Sequence, residues 1–207
     1  MALTLLPLDM TEAWVLPRKG TQEDPLRLGV LISGSGSGME ALLKHQNAEA
    51  CLHTTVVVVS DKPEVGGLER AQNNGVPSVV VPLPEIEDSG ERRLIHEEEV
   101  DETLNAHDVE VVILSGYMRI LTPTFVGKWA GRLLNIHPSL LPDFPGAHAH
   151  RDVIAAGAKR SGCTVHFVDS NMDSGPIIAQ KAVEVFPEDD EESLSERVKS
   201  EEHKLYP

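Results

Sequence analysis

The chain has 207 residues and a formal net charge of −15, from 18 lysines and arginines against 33 aspartates and glutamates. Its length fits one domain with a sizeable core, and its hydrophobic content of 41% is typical of a folded protein. The negative charge argues against binding of nucleic acid or an anionic membrane, because phosphate-rich partners need a cationic face. A small anionic substrate in a local pocket is still compatible with this charge.

Cysteine content and the N-terminal segment indicate a cytoplasmic protein. Two cysteines, Cys51 and Cys163, are too few for a disulfide framework. No apolar run approaches the ~18 residues that a membrane span needs. The first residues lack a basic start and form a poor secretory signal. Scattered prolines over 1–26 predict a partly disordered N-terminal extension, followed by one domain over 27–207.

Short apolar runs alternate with amphipathic stretches from Arg27 onward. The apolar runs predict strands at Leu28–Ile32, Thr54–Val59, Ser78–Val81, Val109–Leu114, Leu133–Ile136 and Cys163–Val168, and a last strand that ends at Glu184–Val185. The stretches between them predict helices at Met39–Gln46, Gly67–Asn73, Glu91–Ala106, Pro123–Ala130 and Arg151–Ala156. Several apolar runs are continuous, as in strands buried on both faces of a parallel sheet. The order predicts an α/β fold with a doubly wound, mostly parallel sheet and helices on both faces.

A final helix is predicted near the end of the chain. Ser193 and Glu196 have the spacing of a capping box for a helix that runs to about Leu205. The acidic run Glu188–Glu192 precedes it and is interpreted as a solvated helix N-terminus, which the helix dipole favours.

A glycine-rich loop, Ser33-Gly34-Ser35-Gly36-Ser37-Gly38, follows the first predicted strand and opens a helix. Glycines allow a tight turn, and the free N–H groups at a helix start can hold a phosphate. The spacing matches neither the dinucleotide motif nor the P-loop. The loop therefore favours a phosphate site other than that of NAD or ATP, although a plain strand-to-helix turn explains the glycines equally well.

A second candidate is the stretch Leu133 to Pro142, which reads LLNIHPSLLP. Pro138 favours an extended His137, and residues two apart in an extended chain point to the same side. Asn135 and His137 therefore face one point at the carboxyl end of a strand, while Ile136 faces the core. Such a pair can stabilise an oxyanion on a carbonyl, whereas turn capping by His137 is an alternative that spacing alone leaves open.

A third candidate is the turn Asp169 to Pro176, which joins two apolar strands. Turn chemistry alone accounts for its Asp, Asn, Ser, Gly and Pro residues. A carboxylate from this turn beside an imidazole would orient the ring and favour its charged form. His148 and His150 have a metal-like spacing, but no third ligand is evident from the sequence, and we expect no metal.

These segments together resemble the phosphoribosylglycinamide formyltransferase family of folate-dependent enzymes. The matching stretches are LISGSGSGMEALL, SDKP with GLERA, GYMRIL, GRLLNIHPSLLP, GCTVHFV with MDSGPIIAQ, and SERVKSEEHKLYP, in order from about Arg27 to Pro207. The resemblance implies a formyltransferase-like fold and transfer of a formyl group from 10-formyltetrahydrofolate to the amine of phosphoribosylglycinamide in purine synthesis. It implies two small-molecule partners and no metal, and it leaves open whether the protein is a monomer or a homodimer.

The resemblance also implies roles for individual residues. The catalytic set is matched by Asn135, His137 and Asp173. The positions that contact phosphoribosylglycinamide are matched by Gly36, Ser37, Gly38, Lys199, Ser200, Glu201 and Glu202. The positions around the folate are matched by Arg93, Met118, Arg119, Ile120, Leu121, Asn135, Asp169, Ser170, Asn171, Met172 and Asp173.

Two departures from the family pattern stand out. The family usually has Asn where this chain has Gly38, so a side-chain donor is replaced by a bare backbone N–H. The family usually continues past the position of Pro207. Two rival functions share the pattern: a formyltetrahydrofolate hydrolase, for whose usual N-terminal regulatory domain residues 1–26 are too short, and a non-catalytic binding protein, against which the intact Asn135, His137 and Asp173 argue.

Overall fold

The computed structural model describes residues 14–48 and 50–207. Within these residues the strands are β1 Leu26–Ile32, β2 His53–Ser60, β3 Ser78–Val80, β4 Val111–Leu114, β5 Leu133–His137, β6 Arg160–Phe167 and β7 Ile177–Glu184. The helices are α1 Ser37–Ala48, α2 Gly66–Asn73, α3 Ser89–Ala106, α4 Pro123–Lys128, α5 Ala149–Ala155 and α6 Glu191–Leu205. Every strand and helix that the sequence predicts is present.

All seven strands form one sheet in the order β3-β2-β1-β4-β5-β6-β7. The first five strands of that order are parallel, while β6 pairs antiparallel with both β5 and β7. The chain leaves β1 toward β2 and later returns to the other side of β1 with β4. This reversal is the topological switch point of a doubly wound sheet, where such folds bind ligands. The predicted fold class is confirmed.

The sheet is covered on both faces by helices, as the continuous apolar runs require. On one face Leu31 and Val112 pack with α3 and α4, in a cluster that includes Leu104 and Phe125. On the other face, neighbouring strand residues pack with Met39 of α1 in a second cluster. Alternate residues of one strand thus serve opposite cores, because successive side chains point to opposite faces. This arrangement leaves only the strand ends free to build a site.

The last helix starts earlier than the sequence prediction, and the predicted capping pair is wrong. Helix α6 begins at Glu191 with Asp190 as its N-cap, and Asp190 and Ser193 exchange both bonds of a capping box. Asp189, in the acidic run that was predicted to be solvated, instead pairs with a side chain of the helix. Its carboxylate accepts hydrogen bonds from Arg197 at 2.6 and 2.7 Å. Aspartate caps a helix as well as serine does. The N-cap is therefore Asp190, three positions before the predicted Ser193.

The described part of the N-terminal segment lies against the domain. The amide of Val15 donates to the carbonyl of Ala130 at 3.1 Å, and the ring of Trp14 meets that of Phe167 edge-on at 5.2 Å. Arg18 donates to the carboxylate of Glu110 at 2.5 and 2.8 Å. Residues 1–13 of the predicted extension lie outside the described residues, so its extent and disorder stay a prediction.

No helix within residues 14–48 and 50–207 is both long enough and apolar enough to cross a membrane.

Candidate active site

The glycine-rich loop borders a cavity of about 330 Å³ at the switch point between β1 and β4. The loop follows β1 and ends in the first turn of α1, whose free N–H groups face this region. The cavity is lined by Ser33, Gly34, Ser35, Gly36, Ser37, Gly38, Ser115, Gly116, Met118, Ile136, Pro138, His150, Ser195, Lys199, Glu202 and Tyr206. We call it the glycine-loop cavity. A helix N-terminus and a glycine loop at a switch point suit an anionic group.

The loop is held close to the start of α2 at Gly36 and Gly67. Gly36 has a φ of +67°, and a Cβ at this position would lie 2.8 Å from Cα of Gly67. The amide of Gly67 donates to the carbonyl of Gly34 at 3.1 Å. Position 36 therefore requires glycine, both because of its φ and because a Cβ would be too close to Gly67. A plain strand-to-helix turn would not require this close approach.

Helix α6 contributes the far wall of the glycine-loop cavity. The structure brings Lys199 and Glu202 to this wall but not Ser200 and Glu201, because residues three apart share a helix face and their neighbours turn away. Glu201 instead accepts an ion-pair hydrogen bond from Lys204 at 2.7 Å. Burial raises the pKa of Glu202 to about 7, against the attraction of Lys199. A cation and a readily protonated acid therefore face the glycine loop.

Ser115 is a cavity residue that the sequence analysis missed. It follows β4, it is buried, and its Oγ lies 3.0 Å from where a Cβ on Gly38 would stand. Ser115 also lines the glycine-loop cavity. The signal was available, since Ser115 is the first polar residue after a continuous apolar run.

Asn135, His137 and Asp173 meet at the carboxyl end of β5. Nδ1 of His137 lies 3.4 Å from Oδ2 of Asp173, and Nε2 of His137 donates to the carbonyl of Phe144 at 2.9 Å. Oδ2 of Asp173 also accepts from the amide of Gly146 at 2.8 Å. Both ring nitrogens of the buried His137 thus face oxygen acceptors, which hold the ring in one orientation.

His166 is a second histidine at this point, which the sequence analysis also missed. It lies opposite Asn135 in the antiparallel pairing of β5 and β6, and its Nε2 lies 3.3 Å from Nδ2 of Asn135. Its Nδ1 donates to the carbonyl of Phe167 at 2.9 Å. Burial lowers the pKa of His166, although Asp173 opposes that shift. A neutral His166 accepts from the Asn135 amide and thereby fixes its orientation.

The loop after His137 is held by side chains of the antiparallel strands. The hydroxyl of Thr164 donates to the carbonyl of Ser139 at 2.7 Å and accepts from the amide of Leu141 at 3.0 Å. Gln180 donates to the same hydroxyl and to the carbonyl of Leu141, each at 2.9 Å. Buried hydrogen bonds of this kind hold a site in one geometry, so β6 and β7 support the reacting end of β5.

A second cavity of about 250 Å³ lies beside the first. It is lined by Leu83, Ser89, Arg92, Arg93, His96, Glu97, Tyr117, Met118, Arg119, Ile120 and Leu121. Met118 lines both cavities and is 72% exposed. The amide of Met118 donates to Oγ of Ser33 at 2.8 Å, which ties this segment to the glycine loop. The two cavities therefore adjoin, as a two-substrate site requires.

An ion pair and a buried hydrogen bond hold side chains that line the second cavity. Nε of Arg119 donates to Oδ2 of the fully buried Asp61 at 2.6 Å. The hydroxyl of Tyr117 lies 2.8 Å from Nε2 of His96. Burial raises the pKa of Tyr117 and lowers that of His96, so a protonated phenol donates to a neutral imidazole.

The turn Asp169 to Asp173 does not line the second cavity. Asp169 organises the turn by accepting from the amide of Asn171 and the hydroxyl of Ser174, each at 3.0 Å. Met172 is exposed and lies 3.9 Å from where a Cβ on Gly146 would stand. Asp173 reaches His137 and Gly146. The predicted folate residues therefore fall into two groups, one that lines the second cavity and one on this turn.

The chain matches the formyl transferase family over residues 26–207. Phosphoribosylglycinamide formyltransferase of Escherichia coli (strain K12) is 40% identical over 184 residues, which cover 88% of this chain and 84% of that protein. A crystal structure of phosphoribosylglycinamide formyltransferase from Brucella melitensis superposes with a TM-score of 0.82 at 42% identity, over 89% of this chain and 93% of the other. This chain belongs to the formyl transferase family.

Longer relatives contain a similar stretch. The trifunctional purine biosynthetic protein adenosine-3 of Drosophila melanogaster is 44% identical over 183 residues. That stretch covers 87% of this chain but only 13% of the relative. The similarity therefore concerns one part of a much longer protein.

Proposed function

We propose that this chain transfers the formyl group of 10-formyltetrahydrofolate to the amine of 5-phosphoribosylglycinamide, a step of purine biosynthesis. The observation that carries the proposal is the cluster of Asn135, His137 and Asp173 beside the glycine-loop cavity. Ile136 and Pro138, which flank His137 in the chain, line that cavity. Formyl transfer to an amine needs a carbonyl held beside an amine, with a donor for the developing oxyanion.

The nucleotide is assigned to the glycine-loop cavity. Its phosphate contacts the backbone N–H groups of Gly36, Ser37 and Gly38, where the helix dipole of α1 favours negative charge. Lys199 adds a cation in a chain whose net charge is −15. Glu202 faces the sugar and the glycinamide end, and the neighbouring Ser115 hydroxyl supplies a donor next to Gly38.

The folate is assigned to the second cavity. Arg93, Arg119 and the apolar side chains of Met118, Ile120 and Leu121 line it. The apolar groups suit the flat ring system, and the arginines suit the anionic end of a folate. The turn of Asp169, Ser170, Asn171 and Met172 lies outside the lining of that cavity. We assign it to the reacting end of the folate, because Asp173 of the same turn reaches His137.

The amine of the nucleotide attacks the formyl carbon, and negative charge develops on the formyl oxygen. Asn135 and His137 donate to this oxygen, which takes the place of the Phe144 carbonyl at His137. Asp173 pairs with His137 and accepts a proton from the attacking amine. The bond between the formyl carbon and the folate nitrogen then breaks, and that nitrogen takes up the proton and leaves as part of tetrahydrofolate. His166 positions the amide of Asn135. Asn135 and His137 belong to β5 and His166 belongs to β6, and donors held by a sheet need little movement to meet a developing oxyanion.

The test is a turnover assay with purified chain and 10-formyltetrahydrofolate, with and without phosphoribosylglycinamide. The proposal expects deformylated folate and formylated nucleotide in equal amounts, and only when both substrates are present. Folate turnover without the nucleotide would instead identify a hydrolase. Absence of turnover in a folded protein that still binds both compounds would identify a binding protein.

A further inference from the structure

Three side chains that can bind a metal ion meet at the end of the sheet opposite the glycine-loop cavity. His45 lies in the last turn of α1, Cys51 in the connection after it, and His53 is the first residue of β2. One ligand atom from each lies within 4.8 Å of the other two. Among the residues that the structure describes, no other trio of His, Cys, Asp or Glu converges in this way.

Local packing orients the three side chains. The rings of His45 and His53 stack with centroids 6.3 Å apart and an interplanar angle of 22°. Sγ of Cys51 lies 3.9 Å from the carbonyl of His45. The amide nitrogen of Gln46 lies 2.9 Å from Nδ1 of His53, while its oxygen accepts from the amide of Thr55 at 3.1 Å. Nδ1 of His53 accepts this bond and so carries no proton, which is the form in which an imidazole nitrogen binds a metal ion once the Gln46 amide moves aside.

We propose that His45, Cys51 and His53 bind a divalent transition-metal ion, with Zn²⁺ as the favoured ion and water as its fourth ligand. One thiolate with two imidazoles is a ligand set that zinc prefers and that calcium and magnesium do not. Zinc bonds of ~2.3 Å to sulfur and ~2.0–2.1 Å to nitrogen place tetrahedral ligands roughly 3.3–3.6 Å apart. The trio reaches that spacing by a contraction of about 1.5 Å at most, which rotation of half-buried side chains supplies.

The position of the trio assigns the metal a structural role. His53 begins β2, whereas the glycine-loop cavity lies at the carboxyl ends of β1 and β4, and these strands are parallel. The trio thus lies at the amino end of the sheet, and the ion joins the end of α1 to the start of β2. We expect the ion to stabilise the fold without taking part in formyl transfer.

Cobalt serves as the spectroscopic probe for this site. Co²⁺ added to the purified, metal-stripped chain is expected to bind at one equivalent and to give the near-ultraviolet thiolate-to-cobalt absorption, which added Zn²⁺ then removes. Cys51→Ser is expected to abolish that absorption. His45→Ala and His53→Ala are expected to weaken Co²⁺ binding by about 100-fold or more. Cys163→Ala is the matched control, since Cys163 is a buried core residue of β6, and it retains the absorption.

A second readout uses stability. Zn²⁺ is expected to raise the Tm of the wild type and of Cys163→Ala, and not that of Cys51→Ser, because an ion that binds only the folded chain stabilises it. The proposal is overturned if folded wild-type protein gives no thiolate absorption with Co²⁺, or if the absorption survives Cys51→Ser. Formyl transfer is measured separately on the same variants and is expected to be unchanged.

Discussion

The carboxylate of Asp173 lies 3.4 Å from Nδ1 of His137, although α5 and β6 lie between the two residues in the chain. Asp173 has a φ of +51°, in the left-handed region. Asparagine adopts this region readily, whereas alanine does so with strain. Asp173→Asn therefore removes the charge and leaves the backbone in place.

We predict that Asp173→Asn lowers kcat by about 10²–10⁴, the range for loss of a proton-transfer group. His137 then lacks its carboxylate partner, and the attacking amine lacks its proton acceptor. Steady-state kinetics of both substrates measure the effect, with circular dichroism as the check on folding. An unchanged kcat would exclude Asp173 from the reaction.

Asn135→Ala is predicted to lower kcat by about 10²–10³, or about 2.7–4 kcal/mol, since its amide acts on charge that exists only in the transition state. KM values are expected to change little. Asn105→Ala is the matched control, because Asn105 is exposed near the end of α3 and its side-chain amide donates to the carbonyl of Asp101. A rise in KM alone would show that Asn135 binds the substrate in its ground state.

Ser115→Ala is predicted to raise the KM for phosphoribosylglycinamide by about 3–10-fold, since one neutral hydrogen bond contributes about 1 kcal/mol. The KM for the folate is expected to stay the same, because Ser115 lines only the glycine-loop cavity. Ser78→Ala, at an exposed position of β3, is the control. Equal changes in both KM values would contradict the assignment of the two cavities.

Gly36→Ala and Gly34→Ala form a matched pair within the loop. A Cβ on Gly36 would meet the backbone of Gly67, and an alanine there would have to adopt a φ of +67°. A Cβ on Gly34 would meet nothing within 4 Å. We predict that Gly36→Ala lowers the free energy of unfolding by about 1–3 kcal/mol or more, while Gly34→Ala leaves it nearly unchanged. Urea unfolding monitored by circular dichroism measures both. Similar losses in the two variants would contradict the close approach of Gly36 and Gly67.

Glu202 is predicted to make stability depend on pH. Burial raises its pKa from 4.5 to about 7, so between these values the folded protein holds a proton that the unfolded chain has released. Stability therefore falls as pH rises through this window, by at most roughly 3 kcal/mol, and levels off above it. Glu202→Gln removes this slope and is expected to be the more stable protein at about pH 8.

The measurement for Glu202 is the free energy of unfolding of both proteins at several pH values. The difference between them is expected to grow from about pH 5 to about pH 7. Glu196→Gln, at an exposed position of the same helix, is the control. Parallel pH profiles of wild type and Glu202→Gln would show that the carboxyl is not buried as described.

The sequence by itself determined the order and the class of the fold. Continuous apolar runs such as Val56–Val59 and Val111–Leu114 can be buried only in strands covered on both faces, and the helices between them fix the winding. It also placed Asn135 and His137 on one side of a strand, because that relation depends on the two-residue repeat alone. The family resemblance then named Asp173 as their partner.

Only the tertiary structure decided which distant side chains meet them. His166 reaches Asn135 across 31 residues because β6 turns back antiparallel to β5, and spacing along the chain carries no information about that register. The same holds for Ser115 beside Gly38, which depends on β4 lying next to β1. Local patterns follow from neighbours in sequence, whereas a site assembled from several strand ends follows from how the whole sheet pairs.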